Sequence, residues 1–281
     1  LQQKIYSQFN GDPGTAAAIH PKTGETLALV SSPGFNPTTS SIGATSEQWK
    51  ALEDDANKPL LNRFKATFAP GSVIKPITAS IGLAEGTLDW EKTMDVSGLK
   101  WQKDSSWGNY YVTRVTDPKS PVNLEKAIIL SDNIFFAQTA LDLGAEKFTS
   151  GLKKFGFEEE MPYSYPLEPS KIGQMDKDVT VADSGYGQGQ IEMNILHLAA
   201  TYTPFVNNGN MIKPVLLTEE EKGEVWKEQL ITDEQANKLN AALSKVVNDP
   251  SGTARSAKID GKPLAGKTGT AELKAAQGEK G

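Results

Sequence analysis

The sequence contains no cysteine and only two histidines in 281 residues. Without cysteine there is no disulfide, no thiolate nucleophile and no cysteine metal site, and the redox compartment is left open. His20 falls in a turn-forming stretch and His197 in the apolar run Ile195-Leu196-His197-Leu198-Ala199. Each reads as structural, so neither a Ser-His-Asp triad nor a histidine-rich metal site is expected. No cofactor is implied. There is no run of about 18 apolar residues and no signal-peptide pattern at the start. Basic charge is also in deficit: 29 lysines and arginines stand against 35 aspartates and glutamates, a net charge of −6. That is no nucleic-acid footprint, so DNA and RNA are set aside as partners. The chain opens on Leu1 rather than methionine, and we expect it to be an excised piece of something longer.

What is present describes a globular chain long enough to bury a large core, with 38% hydrophobic and 23% charged residues. It is organised around Ala69-Pro70-Gly71-Ser72-Val73-Ile74-Lys75-Pro76. Pro70 and Gly71 make a turn, and an apolar run of helix formers follows. Ser72 is therefore expected at a helix N-terminus with Lys75 on the same face. Pro76 is tolerated because first-turn N–H groups have no intrahelical partner. A serine hydroxyl needs a base to act as a nucleophile. A lysine amine one turn away can serve if burial or nearby positive charge holds it neutral.

Along the chain, residues 1–10 read as the last turns of an amphipathic helix, and 15–19 and 25–31 as a hairpin around His20-Pro21-Lys22-Thr23-Gly24. The Ser72 helix is expected to end near Gly86. Residues 87–120 read as a long aromatic-rich connection, of a kind that is often functional. A helical hairpin is expected over 123–141 around Ser131-Asp132-Asn133, with helices over 146–155, 194–207 and 232–248. Strands are expected over 213–219 and 224–230, and one carrying Gly266-Lys267-Thr268-Gly269-Thr270. The pattern predicts an α+β fold: an antiparallel sheet built from both ends of the chain, with a helical lobe inserted.

Three short motifs occur in the order S-x-x-K, S-x-N, K-T-G, and each alone is weak. S-x-x-K matches at Ser72/Lys75, Ser97/Lys100 and Ser150/Lys153, where about one match is expected by chance. Ser97 lies in a loop and Ser150-Gly151 interrupts a lysine-rich helix. Only Ser72 pairs a turn with an apolar helix. Of the two K-T-G copies, Lys22-Thr23-Gly24 is turn chemistry, whereas Lys267-Thr268-Gly269 follows Pro263-Leu264-Ala265 as in a buried strand. S-x-N occurs at Ser131, Asp132 and Asn133.

The ordered set belongs to class A β-lactamases and penicillin-binding proteins. The chain resembles the transpeptidase domain of a class B penicillin-binding protein, through AAAIHPKTGETLALVSSPGFNP, KATFAPGSVIKPITA, SDNIFFAQTAL, DSGYGQGQI, SGTA and LAGKTGTAELK. WQKDSSWGNYYVTR and AELKAAQGEKG resemble its low-affinity, methicillin-resistance-type branch. The resemblance implies the penicillin-binding/β-lactamase-like fold: a central antiparallel sheet flanked by helices, with a sheet lobe from about 1–45 and 212–281 and an all-helical lobe between. Family members continue past K-T-G through further strands, so the domain over 1–281 is expected to be incomplete at its C-terminus.

The resemblance also implies roles. Ser72 would be acylated, Lys75 would take its proton, and Ser131 would relay a proton to the leaving group. Asn133 would bind the substrate amide and fix Lys75. Lys267 and Thr268 would hold the terminal carboxylate of a D-Ala-D-Ala stem peptide or the acid group of a β-lactam, beside Gly269. The N–H groups of Ser72 and Thr270 would form the oxyanion hole. Tyr110, Gln188, Gly189 and Glu272 are candidates for the groove rim. The implied setting is peptidoglycan cross-linking on the outer face of a bacterial membrane, with an N-terminal anchor outside this chain and other wall-synthesis proteins as partners. The competing readings are a serine β-lactamase, a non-catalytic β-lactam sensor domain and a structural member of a wall-synthesis complex. A class A β-lactamase presents its deacylating glutamate as Glu-x-x-x-Asn, and here Glu168 is followed at that spacing by Ile172.

Overall fold

The structure, a computed structural model, describes residues 1–119 and 121–271, without the side chains of residues 39 and 40. In chain order its elements are α1 (Gln2–Phe9), β1 (Gly14–Ile19), β2 (Thr26–Ser32), α2 (Pro37–Ser41), α3 (Ser46–Glu53), β3 (Thr67–Phe68), α4 (Lys75–Ala84), β4 (Lys100–Trp101), β5 (Val112–Thr113), α5 (Leu124–Leu130), α6 (Asn133–Lys154), α7 (Asp178–Gly185), β6 (Met193–Asn194), α8 (Ile195–Thr201), β7 (Met211–Ile212), β8 (Val225–Lys227) and α9 (Asp233–Asn248). The expected α+β class holds.

The centre is α4. A 3-10 turn over Gly71–Ile74 feeds it, and Pro76 sits in its first turn, where its missing N–H costs nothing. Every residue from Lys75 to Leu83 is buried. A helix buried all round needs core on both sides. Ile74, Ile77 and Ile81 face one cluster with Phe148, Leu152, Phe155 and Phe157. Ala79 and Leu83 face the other, with Leu124, Ile128, Phe135, Leu239 and Leu243. α6 packs across both, bent at Gly144 (φ 74°), which parts the second arm of the hairpin expected over 123–141 from the helix expected over 146–155.

The strands pair two by two among the described residues: β1 with β2, β3 with β6, β4 with β5 and β7 with β8, all antiparallel. The hairpin register runs Gly14 opposite Ser32 to Ala18 opposite Ala28. A parallel bridge between Glu25 and Val215 ties the hairpin to the second half of the chain. Two strand expectations are corrected. Within 213–219 only that bridge at Val215 forms, because Met211 and Ile212 take the pairing to β8. The 263–271 segment is extended but joins no ladder among the described residues, and Leu264 is 37% exposed rather than buried. It is held to α9 instead, where Gly266 N–H donates to Leu243 O (3.1 Å).

The 87–120 connection is as irregular as expected, and Trp101, Trp107 and Tyr110 pack on one another whereas Tyr111 is exposed. Trp107 makes edge contacts with Trp101 (5.6 Å between centroids) and Tyr110 (6.0 Å). α7 was not expected: Asp178-Val179-Thr180-Val181-Ala182-Asp183-Ser184-Gly185 has no apolar stripe of helical period. It packs on α6, where a side chain at Gly185 would meet Phe136 O at 2.5 Å.

His197 is fully enclosed. Its Nε2–H donates to Phe155 O (2.8 Å), since a carbonyl can only accept. Nδ1 then accepts from the Ser170 hydroxyl (2.6 Å). The neutral ring is satisfied at both nitrogens, and burial pulls its pKa down from 6.5 to about 4. The unfolded chain therefore binds one more proton between these values, so stability should be full above pH 6.5 and fall as pH drops toward 4. The loss is of order 3 kcal/mol. Urea unfolding at pH 7 and pH 4.5 should show a larger acid loss for wild type than for His197→Asn. Equal losses would assign the acid sensitivity elsewhere.

Candidate active site

The site forms where α4, the α5–α6 turn and the 263–271 segment converge. α5 ends on Ser131, whose backbone is left-handed (φ 54°, ψ 49°), and Asp132 N–H reaches back to Ala127 O (2.9 Å). Asp132 then caps α6: its Oδ1 accepts from Ile134 N–H (2.9 Å) and Phe135 N–H (3.1 Å). This tight reversal aims both Ser131 and Asn133 at Lys75.

The Lys75 amine meets four oxygens: Asn133 Oδ1 (2.6 Å), Ser131 O (2.7 Å), Ser72 Oγ (3.0 Å) and Ser131 Oγ (3.1 Å). Asn133 is oriented by its amide, whose Nδ2–H donates to Thr113 O (2.8 Å), leaving Oδ1 for Lys75. Ser131 O and Asn133 Oδ1 can only accept. A neutral amine has two hydrogens and one lone pair. The hydrogens go to those two oxygens, and the lone pair is left for a hydroxyl. Burial, and next the positive charge of Lys267, hold the Lys75 pKa well below its ordinary value; Asp132 works the other way. The geometry and the field thus favour the same form, an amine that can accept the Ser72 proton.

Lys267 donates to Ser131 Oγ (2.7 Å) and to Thr268 O (3.0 Å), and burial lowers its pKa to about 8. Thr268 Oγ1 donates to Thr253 Oγ1 (2.8 Å). Hydroxyls of Ser131 and Thr268 therefore stand against one cation, with Thr253 bonded to Thr268, a setting suited to a carboxylate.

The Ser72 turn is fixed from three directions. Gly71 N–H donates to Gly187 O (3.0 Å), and the half-buried Tyr202 donates its hydroxyl to Val73 O (2.6 Å). Backbones crowd so closely that a Cβ on Gly71 would lie 2.3 Å from Thr270 O, and one on Gly187 1.9 Å from Gly71 O. Both glycines have positive φ.

Outside this core is an open cleft of ≈ 590 Å³ whose lining includes Ser72, Ser131, Asn133, Gln188, Thr268, Gly269 and Thr270. Lys75 and Lys267 reach it through Ser72, Ser131 and Thr268. Tyr110 is not in the lining. Its hydroxyl and that of Tyr186 both donate to buried Asp183, and Tyr186 forms that part of the wall. Gln188 lines the cleft, Gly189 lines a neighbouring one, and Glu272 lies outside the described residues. The decoys stay apart: Ser97 and Ser150 are exposed, and Lys22 donates to Asn207 Oδ1 (3.3 Å) in the hairpin turn. Sequence reasoning passed over Thr113, Arg114, Thr253 and Tyr186. Asp132 did carry a signal, as a helix N-cap within the S-D-N triplet.

Comparison with known proteins identifies the family. The penicillin-binding protein transpeptidase domain model matches residues 14–281. The chain is 49% identical to penicillin-binding protein 3 of Bacillus subtilis over 99% of its own length and 42% of that protein's. It is 30% identical to the peptidoglycan D,D-transpeptidase MrdA of Acinetobacter baumannii, over 100% of this chain and 44% of that one. A solved structure of the D,D-transpeptidase domain of a peptidoglycan glycosyltransferase from Eggerthella lenta superposes with a TM-score of 0.82 at 25% identity, covering 96% of this chain and 69% of that one. This chain belongs to the penicillin-binding protein transpeptidase domain family, in the class B group of these relatives. It spans less than half the length of these two curated relatives. No helix among the described residues is long and apolar enough to cross a membrane.

The left-handed Ser131 gives a test that separates fold from chemistry. Ser131→Ala and Ser131→Gly both delete the hydroxyl, so both should acylate far more slowly than wild type. Glycine tolerates the left-handed backbone, so Ser131→Gly should be more stable than Ser131→Ala by about 1 kcal/mol. Equal melting temperatures would mean that the turn does not carry this strain.

Proposed function

We propose that this chain is the catalytic domain of a peptidoglycan D,D-transpeptidase acting through an acyl-enzyme on Ser72. The observation that carries the reading is the Lys75 amine, with both hydrogens committed to pure acceptors and its lone pair available to Ser72. Ser72 Oγ attacks the carbonyl of the D-Ala-D-Ala bond of a stem peptide, and Lys75 takes its proton. The N–H groups of Ser72 and Thr270 receive the oxyanion. The C–N bond breaks, Ser131 passes a proton to the departing D-alanine amine, and an ester remains on Ser72. An amine of a neighbouring stem then attacks the ester, closing the cross-link and freeing Ser72. Lys267, Thr268 and Thr253 hold the terminal carboxylate, and Asn133 and Gln188 border the peptide. A β-lactam follows the same path, except that its ring nitrogen stays attached, so nothing leaves.

The hydrolase reading is weaker. Among the described residues no carboxylate lines the cleft, so no second base is at hand to activate water for deacylation. Glu168 is exposed, and Ile172 is buried in the core beside α4.

The same proposal includes slow acylation and low β-lactam affinity. The two sequence stretches noted above support it, and so does the crowded Ser72 turn. Shifting that turn into attack geometry would have to move the backbones at Gly187 and Thr270 with it. The division into a sheet lobe and a helical lobe, the membrane anchor, the extracytoplasmic location and the wall-synthesis partners belong to this proposal for the parent protein.

Intact mass tests it. Incubation with a penicillin should add one drug mass slowly, and the adduct should persist for hours after free drug is removed. Ser72→Ala should abolish the adduct, whereas Ser97→Ala and Ser150→Ala should keep it. Lys267→Ala should slow it by about 10²-fold or more and Lys22→Ala very little. Rapid return of unmodified protein with excess opened drug would make this chain a β-lactamase.

A further inference from the structure

Arg114 follows β5 in the 87–120 connection, and its side chain is 2% exposed. The guanidinium satisfies three acceptors at once. It donates through Nε to Gly98 O (2.9 Å), through one terminal nitrogen to Val96 O, and through the other to Asp132 Oδ2 (2.8 Å). Asp132 is 1% exposed in its side chain. Its other oxygen is the cap of α6, so its carboxylate is held on both sides. One residue earlier, Thr113 O accepts from Asn133 Nδ2. Two consecutive residues of the connection thus grip two consecutive residues of the S-D-N turn. Ser131 and Asn133, which flank Asp132, are the groups that hold Lys75.

We propose that Arg114 is a positioning residue for acylation, which clamps Asp132 to keep Ser131 and Asn133 on Lys75 and offsets the carboxylate's charge beside that amine. The inference rests on the reading of Lys75 as the base. It gives the aromatic-rich connection a role in the chemistry, although neither Arg114 nor Asp132 needs to touch substrate. A lysine could not replace all of this, because only the planar fork spans three acceptors.

The charged groups around the Lys75 amine have opposite effects. Lys267, from the 263–271 segment, disfavours its ammonium form, and Asp132, from the turn, favours it. Arg114 stands behind Asp132 and weakens its field. α7 brings Asp183 to the same wall, with its carboxylate engaged by the hydroxyls of Tyr110 and Tyr186. Removing Arg114 leaves the Asp132 carboxylate with its two backbone donors but no cation. Lys75 should then hold its proton to higher pH. Removing the Asp132 charge should do the reverse.

The experiment is the second-order rate of acylation by a fluorescent penicillin across pH 5.5 to 9, with melting temperature recorded for each variant. Wild type should lose rate on the acid side as Lys75 gains a proton. In Arg114→Met that acid limb should move up by roughly half a pH unit or more, with the rate at pH 7 at least about tenfold lower. In Asp132→Asn the limb should move down. Arg114→Lys should keep the limb near its wild-type position while losing rate. Should Arg114→Met fail to fold, the downward shift in Asp132→Asn beside an unmoved limb in Arg114→Lys still decides. Folded variants whose limbs all coincide with wild type, whatever their rates, would reduce the pair to scaffolding and overturn the proposal. A wild-type profile without an acid limb would overturn the Lys75 reading as well, so the two failures are told apart.

Discussion

The structure depends on keeping one lysine amine dry, with two of the four oxygens around it unable to donate a proton. Lys75 is fully buried, at the start of a helix that is itself buried on every side. Burying an ammonium without a paired anion is costly, and the ordinary outcome is that the group gives up its proton. Here the cost is directed. Ser131 O and Asn133 Oδ1 occupy the amine's two hydrogens, and Lys267 adds like charge nearby. Each of those oxygens depends on the turn between α5 and α6. The Ser131 carbonyl points inward because its backbone is left-handed, and Asn133 is turned by Thr113 O.

That dependence ties the chemistry to the whole core. α4 brings Ser72 and Lys75, α5 and α6 bring the S-D-N turn, and α9 carries the 263–271 segment through Gly266 N–H and Leu243 O. Glycines at 71 and 187 allow the backbones to meet where a single Cβ would collide with a carbonyl. A site assembled this way has little freedom to adjust one segment alone. The same crowding that orients Ser72 resists its movement. The cleft outside stays open and free of carboxylates among the described residues.

Much of this was legible in the sequence, for local reasons. Pro70-Gly71 before an apolar run marks a helix start, and Ser72 and Lys75 share its face. Thr232 and Gln235 form the capping box that opens α9. The hairpin was marked by its turn residues, and β1 and β2 lie where expected. What was not legible depends on distant partners. α7 has no apolar stripe, because buried Asp183 is satisfied by tyrosine hydroxyls 73 and 3 residues away. Arg114 reads as a surface arginine until Asp132 arrives 18 residues later. The 263–271 segment has the composition of a strand, yet among the described residues its position comes from α9 and not from a ladder. The resemblance put Tyr110 among the rim candidates, and Tyr186 stands at the wall instead.

The central claim is that Lys75 is a neutral amine at physiological pH while the protein is folded. Lysine labelled with carbon-13 at Cε, followed by NMR across pH, reads this directly, with Lys75→Met locating its resonance. The account predicts one resonance with the shift of a neutral amine at pH 7 that titrates well below the ordinary lysine value, and is lost in the variant. A Lys75 resonance that titrates with the surface lysines near pH 10.5 would contradict it.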